Sequence, residues 1–188
     1  MTGTPPHIRL PAAFMAWFKG RGWQPHRHQL EMLAAAEAAA SCLLVAPTGG
    51  GKTLAGFLPS LVDLATTPRT GLHTLYISPL KSLAVDVHRN LEQPIAEMAL
   101  PISVETRSGD TPASKKKRQR EKPPNILLTT PESLALLISY PDAATFFSGL
   151  TTIVIDELHA LVDNKRGELM SLALARLRRL APAARRVG

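Results

Sequence analysis

Short apolar segments alternate with helical patterns along this chain, and that alternation restricts the fold more than any other feature of the sequence. The β-prone runs are 42–46, 74–78, 126–130 and 152–157, with a weaker fifth at 102–106. The helical patterns are 28–40, 52–65, 81–99, 132–138 and 166–181. Most of the runs are continuously apolar, which is typical of strands covered on both faces. The sequence therefore predicts an α/β fold, a three-layer α/β/α domain with a mainly parallel central sheet.

Two prolines fall inside the helical patterns. Pro59 and Pro94 are expected to kink or end their helices, because proline lacks an N–H group and clashes with the preceding turn.

The first apolar run leads directly into APTGGGKT at 46–53 and then into a helix. A strict phosphate loop reads G-x-x-x-x-G-K-[ST], so Ala46 replaces its first glycine. The strand before it and the helix after it are nevertheless the context such a loop requires, since glycines let backbone N–H groups face a phosphate. Lys52 is then expected to contact the β- and γ-phosphates, and Thr53 to place a hydroxyl on Mg²⁺. The candidate nucleotide-binding residues here are Thr48, Gly49, Gly50, Gly51, Lys52 and Thr53. The alternative is a glycine-rich turn with a chance lysine.

The last apolar run ends in two adjacent acids, Asp156 and Glu157. Acids avoid a buried strand end unless something pairs with them. Asp156 is therefore a candidate Mg²⁺ ligand through water, and Glu157 a candidate base for the attacking water. His159 completes D-E-L-H and is a candidate catalytic residue, with a capping or surface histidine as the alternative. A zinc site is not supported, because the sequence has no H-E-x-x-H motif and no cysteine pair.

Composition sets limits without identifying a function. A length of 188 residues fits one domain, and a net charge of +7 permits a polyanionic partner. No apolar run approaches the ~18 residues of a membrane span. The single cysteine, Cys42, is interpreted as a buried thiol. Together these features predict a cytoplasmic protein that has no membrane partner.

The loop at 46–53 and the D-E-L-H at 156–159 together resemble the DExH-box branch of superfamily 2 helicases, whose phosphate loop reads A-x-x-G-x-G-K-T. YISPLKSLAVDVHRNL at 76–91 and LLTTPESLALLI at 127–138 look like its motifs Ia and Ib. The chain is especially similar to the Lhr group, and within it to bacterial DExH helicases associated with DNA ligase and the DNA damage response. The resemblance implies a RecA-like fold, ATP and Mg²⁺ as cofactors, and a bacterial cytoplasmic protein that is nucleoid-associated when on DNA.

The resemblance also implies a base-reading segment at WQPHRHQ, residues 23–29. Gln29 would contact the adenine edge, and Arg27 would stack on the base or contact it. From the residues alone, Gln29 could equally be a polar residue at a helix start.

Further residues are implied to hold a nucleic-acid backbone, through contacts that position a strand without reading its sequence. They are Ser78, Pro79 and Lys81 in motif Ia, Gly109 in the turn at 107–111, and Thr129 and Thr130 in motif Ib. The alternative for Lys81 is an exposed lysine in a first helical turn. The basic run KKKRQREK at 115–122 has three interpretations: a short solvated helix, a DNA-facing patch or a localisation signal.

The resemblance predicts that residues 1–188 form one RecA-like lobe, with 1–27 as a lead-in containing the base-reading segment. A Ser-Ala-Thr motif and a second RecA-like lobe with an arginine finger are expected after Gly188. The chain is therefore expected to be an excised first lobe, with its final strand cut at the first residue; a natural fragment is the alternative. Without the finger, worth ~10³–10⁵ in rate, hydrolysis is expected to be poor.

Several functions fit these motifs. The first is an ATP-dependent DNA helicase or translocase moving 3′ to 5′ on single-stranded DNA, which would work with its second lobe, its C-terminal domains and repair proteins such as a ligase. An RNA remodeller and a non-catalytic nucleic-acid-binding module are alternatives. A small-molecule kinase lacks support, because the loops carry sequence like motifs Ia and Ib.

Overall fold

The computed structural model describes residues 10–45, 50–161 and 164–188. Its helices are α1 Ala12–Gly20, α2 Arg27–Glu37, α3 Lys52–Thr66, α4 Lys81–Glu97, α5 Ala113–Glu121, α6 Pro131–Ser139, α7 Ala143–Phe147 and α8 Lys165–Leu180. Its strands are β1 Thr74–Ile77, β2 Val104–Arg107, β3 Ile126–Thr129, β4 Thr152–Ile155 and β5 Arg185–Val187. A short 3₁₀ turn spans Leu158–Leu161.

The five strands form one sheet in the order β2-β3-β1-β4-β5, and every pairing is parallel. In this register Tyr76 of β1 lies between Leu128 of β3 and Val154 of β4. Residues 42–45 run beside β5, where the Cys42 backbone N–H donates to the Arg186 carbonyl at 2.9 Å. The predicted parallel sheet is confirmed.

Helices cover both faces of the sheet, so the predicted three-layer arrangement is also confirmed. Alternate strand residues point to opposite faces, as the pleat requires. Tyr76 and Val154 pack with α1 to α4, including Phe57, in one core. Leu75 and Ile153 pack with α6 to α8 in the other. Each large apolar side chain fully buried in these cores contributes about 1.5–3 kcal/mol.

The edges of the sheet differ most from the sequence-based expectation. Within residues 42–45, only Cys42 forms a bridge, to Val187. Leu43 and Val45 are 66% and 86% exposed, so the expected burial on both faces is wrong for this edge segment. The final strand was expected to be cut at its first residue, yet β5 has three residues and pairs with β4. The weak run at 102–106 becomes β2 at Val104–Arg107.

Neither internal proline ends its helix at that position. The helix α3 continues past Pro59 to Thr66, and α4 continues past Pro94 to Glu97. In α3 the burial of Phe57, Leu58 and Leu61 offsets the local cost of proline, which is ~3 kcal/mol in a helix interior.

The basic run forms the predicted short helix, α5. Three of its cations are paired: Arg118 donates to both carboxylate oxygens of Glu105 at 2.9 and 2.7 Å, Arg120 donates to Asp142 at 2.8 Å, and Lys117 Nζ lies 3.8 Å from Glu121 Oε1. These pairs favour a largely solvated structural helix over a patch that faces DNA. Of the described helices, none has the length and apolar character to cross a membrane.

Candidate nucleotide and nucleic-acid site

The helix α3 begins at the carboxyl edge of the sheet with an unusual glycine. Gly51, its N-cap, has φ +71°, a left-handed conformation that favours glycine. A Cβ added there would also lie 3.0 Å from Gln29 Nε2. Lys52 and Thr53 form the first turn of α3 and are half-buried. Backbone N–H groups at such a helix start attract phosphate. Gly50 precedes them in a bend, whereas Ala46, Thr48 and Gly49 lie outside the described residues.

Asp156 follows β4 at the same edge of the sheet. Its backbone N–H donates to the Ile77 carbonyl at 2.9 Å. The Tyr76 hydroxyl donates to its Oδ2 at 2.5 Å, and the Glu157 backbone N–H donates to its Oδ1 at 2.9 Å. Burial, together with the neighbouring Asp156 carboxylate, raises the pKa of the Tyr76 phenol far above its ordinary value. Tyr76 therefore remains a hydrogen-bond donor and fixes the orientation of Asp156.

Packing between α3 and the centre of the sheet brings Lys52, Thr53 and Asp156 to one edge. A Cβ added at Gly56 would lie 3.6 Å from Val154 Cγ1, so α3 packs closely on β4 one turn after Thr53. On the neighbouring strand, the rings of Phe57 and Tyr76 are 5.4 Å apart. The start of α3 and the end of β4 are thus fixed to each other through two contacts.

The donors at this edge fit Mg²⁺ held jointly by protein and nucleotide. Thr53 supplies a hydroxyl and Asp156 a carboxylate, both oxygen donors of the kind Mg²⁺ prefers. The described residues contain no cluster of three or more His, Cys, Asp or Glu side chains that could hold a metal by itself. Mg²⁺ commonly binds through one or two protein side chains plus substrate phosphates, and this donor set matches that pattern.

Glu157 is held in a left-handed conformation, with φ +48°, directly after the strand. Strained backbone of this kind clusters at functional sites. Its Oε2 lies 3.2 Å from Nε2 of His159, whose side chain is 81% exposed. His159 is therefore a surface histidine that contacts the candidate base.

The predicted base-reading segment lies beside Gly51 at the start of α3. Gln29 is buried in the first turn of α2, and its Oε1 accepts the His26 backbone N–H at 2.9 Å, as a helix-capping residue does. Its Nε2 is directed at Gly51. Arg27 is 73% exposed at its side chain and pairs with Glu31 at 2.7 Å. Gln29 is therefore a polar residue at a helix start, as the alternative interpretation expected, and its contact with adenine stays a prediction.

The candidate nucleic-acid residues lie at the ends of β1, β2 and β3, which are adjacent in the sheet. Ser78 and Pro79 are buried, and Ser78 Oγ contacts the Leu80 backbone at 3.2 and 3.3 Å. Lys81 is 55% exposed at its side chain, and its Nζ donates to Asp110 Oδ2 at 2.5 Å. This ion pair joins the turn after β2 to the start of α4.

The remaining three candidates for nucleic-acid contact are Gly109, Thr129 and Thr130, and their polar groups differ in exposure and in hydrogen-bond partners. Gly109 is exposed, with no atom within 4 Å of an added Cβ, and its carbonyl accepts Lys116 Nζ at 2.7 Å. The Thr129 hydroxyl donates to the Arg107 carbonyl at 2.9 Å, and the Thr130 hydroxyl accepts from Ser133 N at the start of α6. Both threonines are buried. Their hydroxyls are engaged within the protein, so the exposed candidates here are Gly109 and Lys81, of which Lys81 is paired with Asp110.

Sequence reasoning missed Tyr76 and Asp110. Tyr76 stands within an apolar run, and a buried tyrosine hydroxyl usually has a partner, which is the one signal that could have identified it. Asp110 gave no comparable signal.

Comparisons with known proteins show what the chain is similar to. Residues 26–188 match the family model described as DEAD/DEAH box helicase. The chain is 40% identical to the Lhr helicase/probable uracil glycosylase of Mycolicibacterium smegmatis over 99% of its own length, which is 13% of that protein. It is 38% identical to the Lhr helicase/uracil glycosylase of Escherichia coli, again covering 97% of this chain and 13% of the relative.

Among solved structures, the Mycobacterium smegmatis helicase Lhr bound to ssDNA and AMP-PNP superposes with a TM-score of 0.89 at 38% identity. That match covers 98% of this chain and 25% of the other. The architecture is thus the RecA-like fold of these helicases, and the chain corresponds to a fraction of their length. By the match of its residues 26–188, the chain belongs to the DEAD/DEAH box helicase family.

Proposed function

We propose that this chain is the first, ATP-binding lobe of an ATP-dependent DNA helicase or translocase. The observation that carries the proposal is the fixed position of the α3 start relative to Asp156, through the Phe57–Tyr76 packing and the 2.5 Å Tyr76–Asp156 hydrogen bond. The solved Lhr structure with ssDNA and AMP-PNP supports this assignment, since the same fold there is bound to both kinds of ligand.

In this function the ATP phosphates lie at the start of α3. Lys52 neutralises charge on the β- and γ-phosphates, and Thr53 and Asp156 hold Mg²⁺. Glu157 orients and deprotonates the attacking water, while His159 contacts Glu157 at 3.2 Å. Bound Mg²⁺ supplies charge stabilisation at the transferred phosphoryl group.

Nucleic acid lies across the ends of β1, β2 and β3 on the same edge of the sheet. Gly109 and the helix start at Lys81 face its phosphates, which positions a strand without reading its sequence. We propose single-stranded DNA as this ligand, and residues 1–188 as one lobe of a protein with a second RecA-like lobe and C-terminal domains. Movement from 3′ to 5′, a role in DNA repair beside a ligase, and a location in the bacterial cytoplasm belong to the same proposal.

ATP hydrolysis by the full-length protein tests the assignment. Lys52→Ala and Glu157→Gln are each expected to lower nucleic-acid-stimulated ATPase at least about 100-fold, because each removes charge or proton chemistry used in the transition state. Lys19→Ala and Glu121→Gln, at exposed positions of the same residue types, are expected to leave the rate unchanged.

The assay is run with single-stranded DNA, with single-stranded RNA and without nucleic acid. Stimulation by DNA alone supports the DNA assignment, and stimulation by RNA alone replaces it with RNA remodelling. Equal rates in all three conditions contradict the helicase function. Retention of most activity in either site variant contradicts the residue assignment.

A further inference from the structure

Asp110 is an acidic side chain at the edge of the sheet where the proposed function places phosphates. It lies in the turn after β2, between Gly109 and the start of α5, and it is exposed. A carboxylate beside a phosphate is unfavourable, because like charges repel each other. The presence of Asp110 therefore works against tight binding of nucleic acid at this edge.

The partner of Asp110 is Lys81, the lysine that the proposed function directs at the same phosphates. Lys81 Nζ donates to Asp110 Oδ2 at 2.5 Å. The hydrogen bond from Lys81 lowers the pKa of the Asp110 carboxyl, so Asp110 is ionised at neutral pH. In the sheet, β3 lies between β1, which leads to Lys81, and β2, which leads to Asp110. The ion pair therefore connects the segments that follow the two neighbours of β3.

Other contacts hold the turn after β2 in place without this ion pair. The Ser108 backbone N–H donates to Thr111 Oγ1 at 2.9 Å. Lys116 Nζ donates to the Gly109 carbonyl at 2.7 Å. Neither bond uses the Asp110 side chain, which can therefore lose its partner without displacing the turn.

The ion pair lies at the surface, where its partners can be exchanged. The side chains of Lys81 and Asp110 are 55% and 78% exposed. Ion pairs at such exposure are weak and are screened by salt. The lysine ammonium forms the same charge-assisted hydrogen bonds to phosphate oxygens as to carboxylate oxygens. A phosphate of nucleic acid can thus take the place of Asp110 at Lys81.

We propose that Asp110 competes with the phosphates of a bound single strand for Lys81, and so limits how tightly this edge binds nucleic acid. The inference rests on the proposed function, since it requires nucleic acid to lie across this edge. Binding exchanges the Lys81–Asp110 ion pair for a pair between Lys81 and phosphate, and release of the strand restores the ion pair. A translocase must release its strand at each step, and a carboxylate that pairs again with the lysine favours that release.

Binding of single-stranded DNA and RNA oligonucleotides to the full-length protein tests the proposal, by fluorescence anisotropy at ~0.05 M and ~0.2 M salt. Asp110→Asn keeps the shape of the side chain, removes its charge and leaves Lys81 available to phosphate. At the lower salt concentration this variant is expected to lower the Kd about fivefold, and less at the higher one, where salt screens the ion pair. Glu121→Gln removes the same charge near the residues that precede β1, and is expected to keep the Kd within about 1.5-fold.

A second background separates exchange of partners from simple repulsion. In Lys81→Ala there is no lysine to release, so Asp110→Asn relieves only the repulsion between carboxylate and phosphate. The decrease in Kd that Asp110→Asn causes is therefore expected to be about twofold or less in that background, instead of about fivefold. A decrease of equal size with and without Lys81 contradicts the exchange.

The ATPase gives an independent measurement of the same effect. In Asp110→Asn, the nucleic-acid concentration for half-maximal stimulation is expected to fall by about the same factor as the Kd. An ion pair that only stabilised the turn would instead give weaker binding when it is removed. Weaker or unchanged binding in Asp110→Asn therefore overturns the proposal. If the unchanged protein binds neither DNA nor RNA, the proposed function itself is contradicted, whatever the variant does.

Discussion

At the scale of single residues, Tyr76 connects the two functional halves of the carboxyl edge. Its hydroxyl donates to Asp156, its ring packs on Phe57 of α3, and its strand leads within two residues to Ser78 of motif Ia. Tyr76 is buried, and only its hydroxyl oxygen contacts Asp156, the candidate Mg²⁺ ligand. It therefore acts as a positioning residue. Groups that hydrogen-bond to a metal ligand typically contribute 10–100-fold to metal affinity or activity.

Tyr76→Phe removes only that hydroxyl and keeps the ring packing on Phe57. In the full-length protein, we expect the Mg²⁺ concentration for half-maximal ATPase to rise about tenfold, because Asp156 loses the donor that orients it. Tyr140→Phe is the matched control, since Tyr140 contacts Arg120 and not the metal site. The role is contradicted if Tyr76→Phe leaves the Mg²⁺ dependence unchanged, even where the melting temperature falls.

At the scale of elements, the junction between the 3₁₀ turn and α8 is the tightest contact near the site. A Cβ added at Gly167 would lie 1.7 Å from the Leu161 carbonyl oxygen. Asn164 caps the helix by accepting from the Arg166 and Gly167 N–H groups at 3.0 Å. This junction supports the segment that carries Glu157 and His159.

Gly167→Ala is therefore expected to displace Leu158–Leu161 or the start of α8. We expect Gly167→Ala to lower the free energy of unfolding by more than about 2 kcal/mol, which corresponds to a fall of about 4–8 °C in melting temperature. Gly20→Ala, in α1 with no atom within 4 Å of the added Cβ, is expected to melt at or above the temperature of the unchanged chain. Equal melting temperatures for the two variants would mean that this junction tolerates a side chain.

The helices and strands also show how much of the fold can be predicted from the sequence. The sheet centre was predicted because its strands are short, continuously apolar and separated by clear helical patterns. The helix α1 was missed, since its N-cap is Pro11 without a side-chain cap and its first turn has no acid. The Tyr76–Asp156 and Gln29–Gly51 contacts could not be predicted, because they depend on the packing of distant segments; Tyr76 and Asp156 are 80 positions apart. Motif spacing therefore identifies the residues that carry the chemistry, whereas the contacts that support those residues can be found only once the fold is known.

At the scale of the whole molecule, the nucleotide and nucleic-acid segments share one edge of a single sheet. β1 and β4 carry the proposed nucleotide half, and β2, β3 and β1 carry the proposed nucleic-acid half, so β1 belongs to both. The chain spans 13% of the length of the Lhr relatives from M. smegmatis and E. coli. In the proposed two-lobed motor, a second lobe would supply an arginine finger to the γ-phosphate.

We expect the 188-residue chain to bind ATP with Mg²⁺ and to hydrolyse it about 10³-fold more slowly than the full-length protein saturated with single-stranded DNA. In the proposed function, Lys52, Asp156 and Glu157 position the phosphates, metal and water, while a second lobe would stabilise the charge that develops in the transition state. Steady-state ATPase of the two proteins measures the ratio, and the Lys52→Ala chain sets the background from contaminating enzymes. If the chain alone reached the rate of the full-length protein, its own residues would complete the catalytic site, and the second lobe would serve movement along the strand rather than hydrolysis.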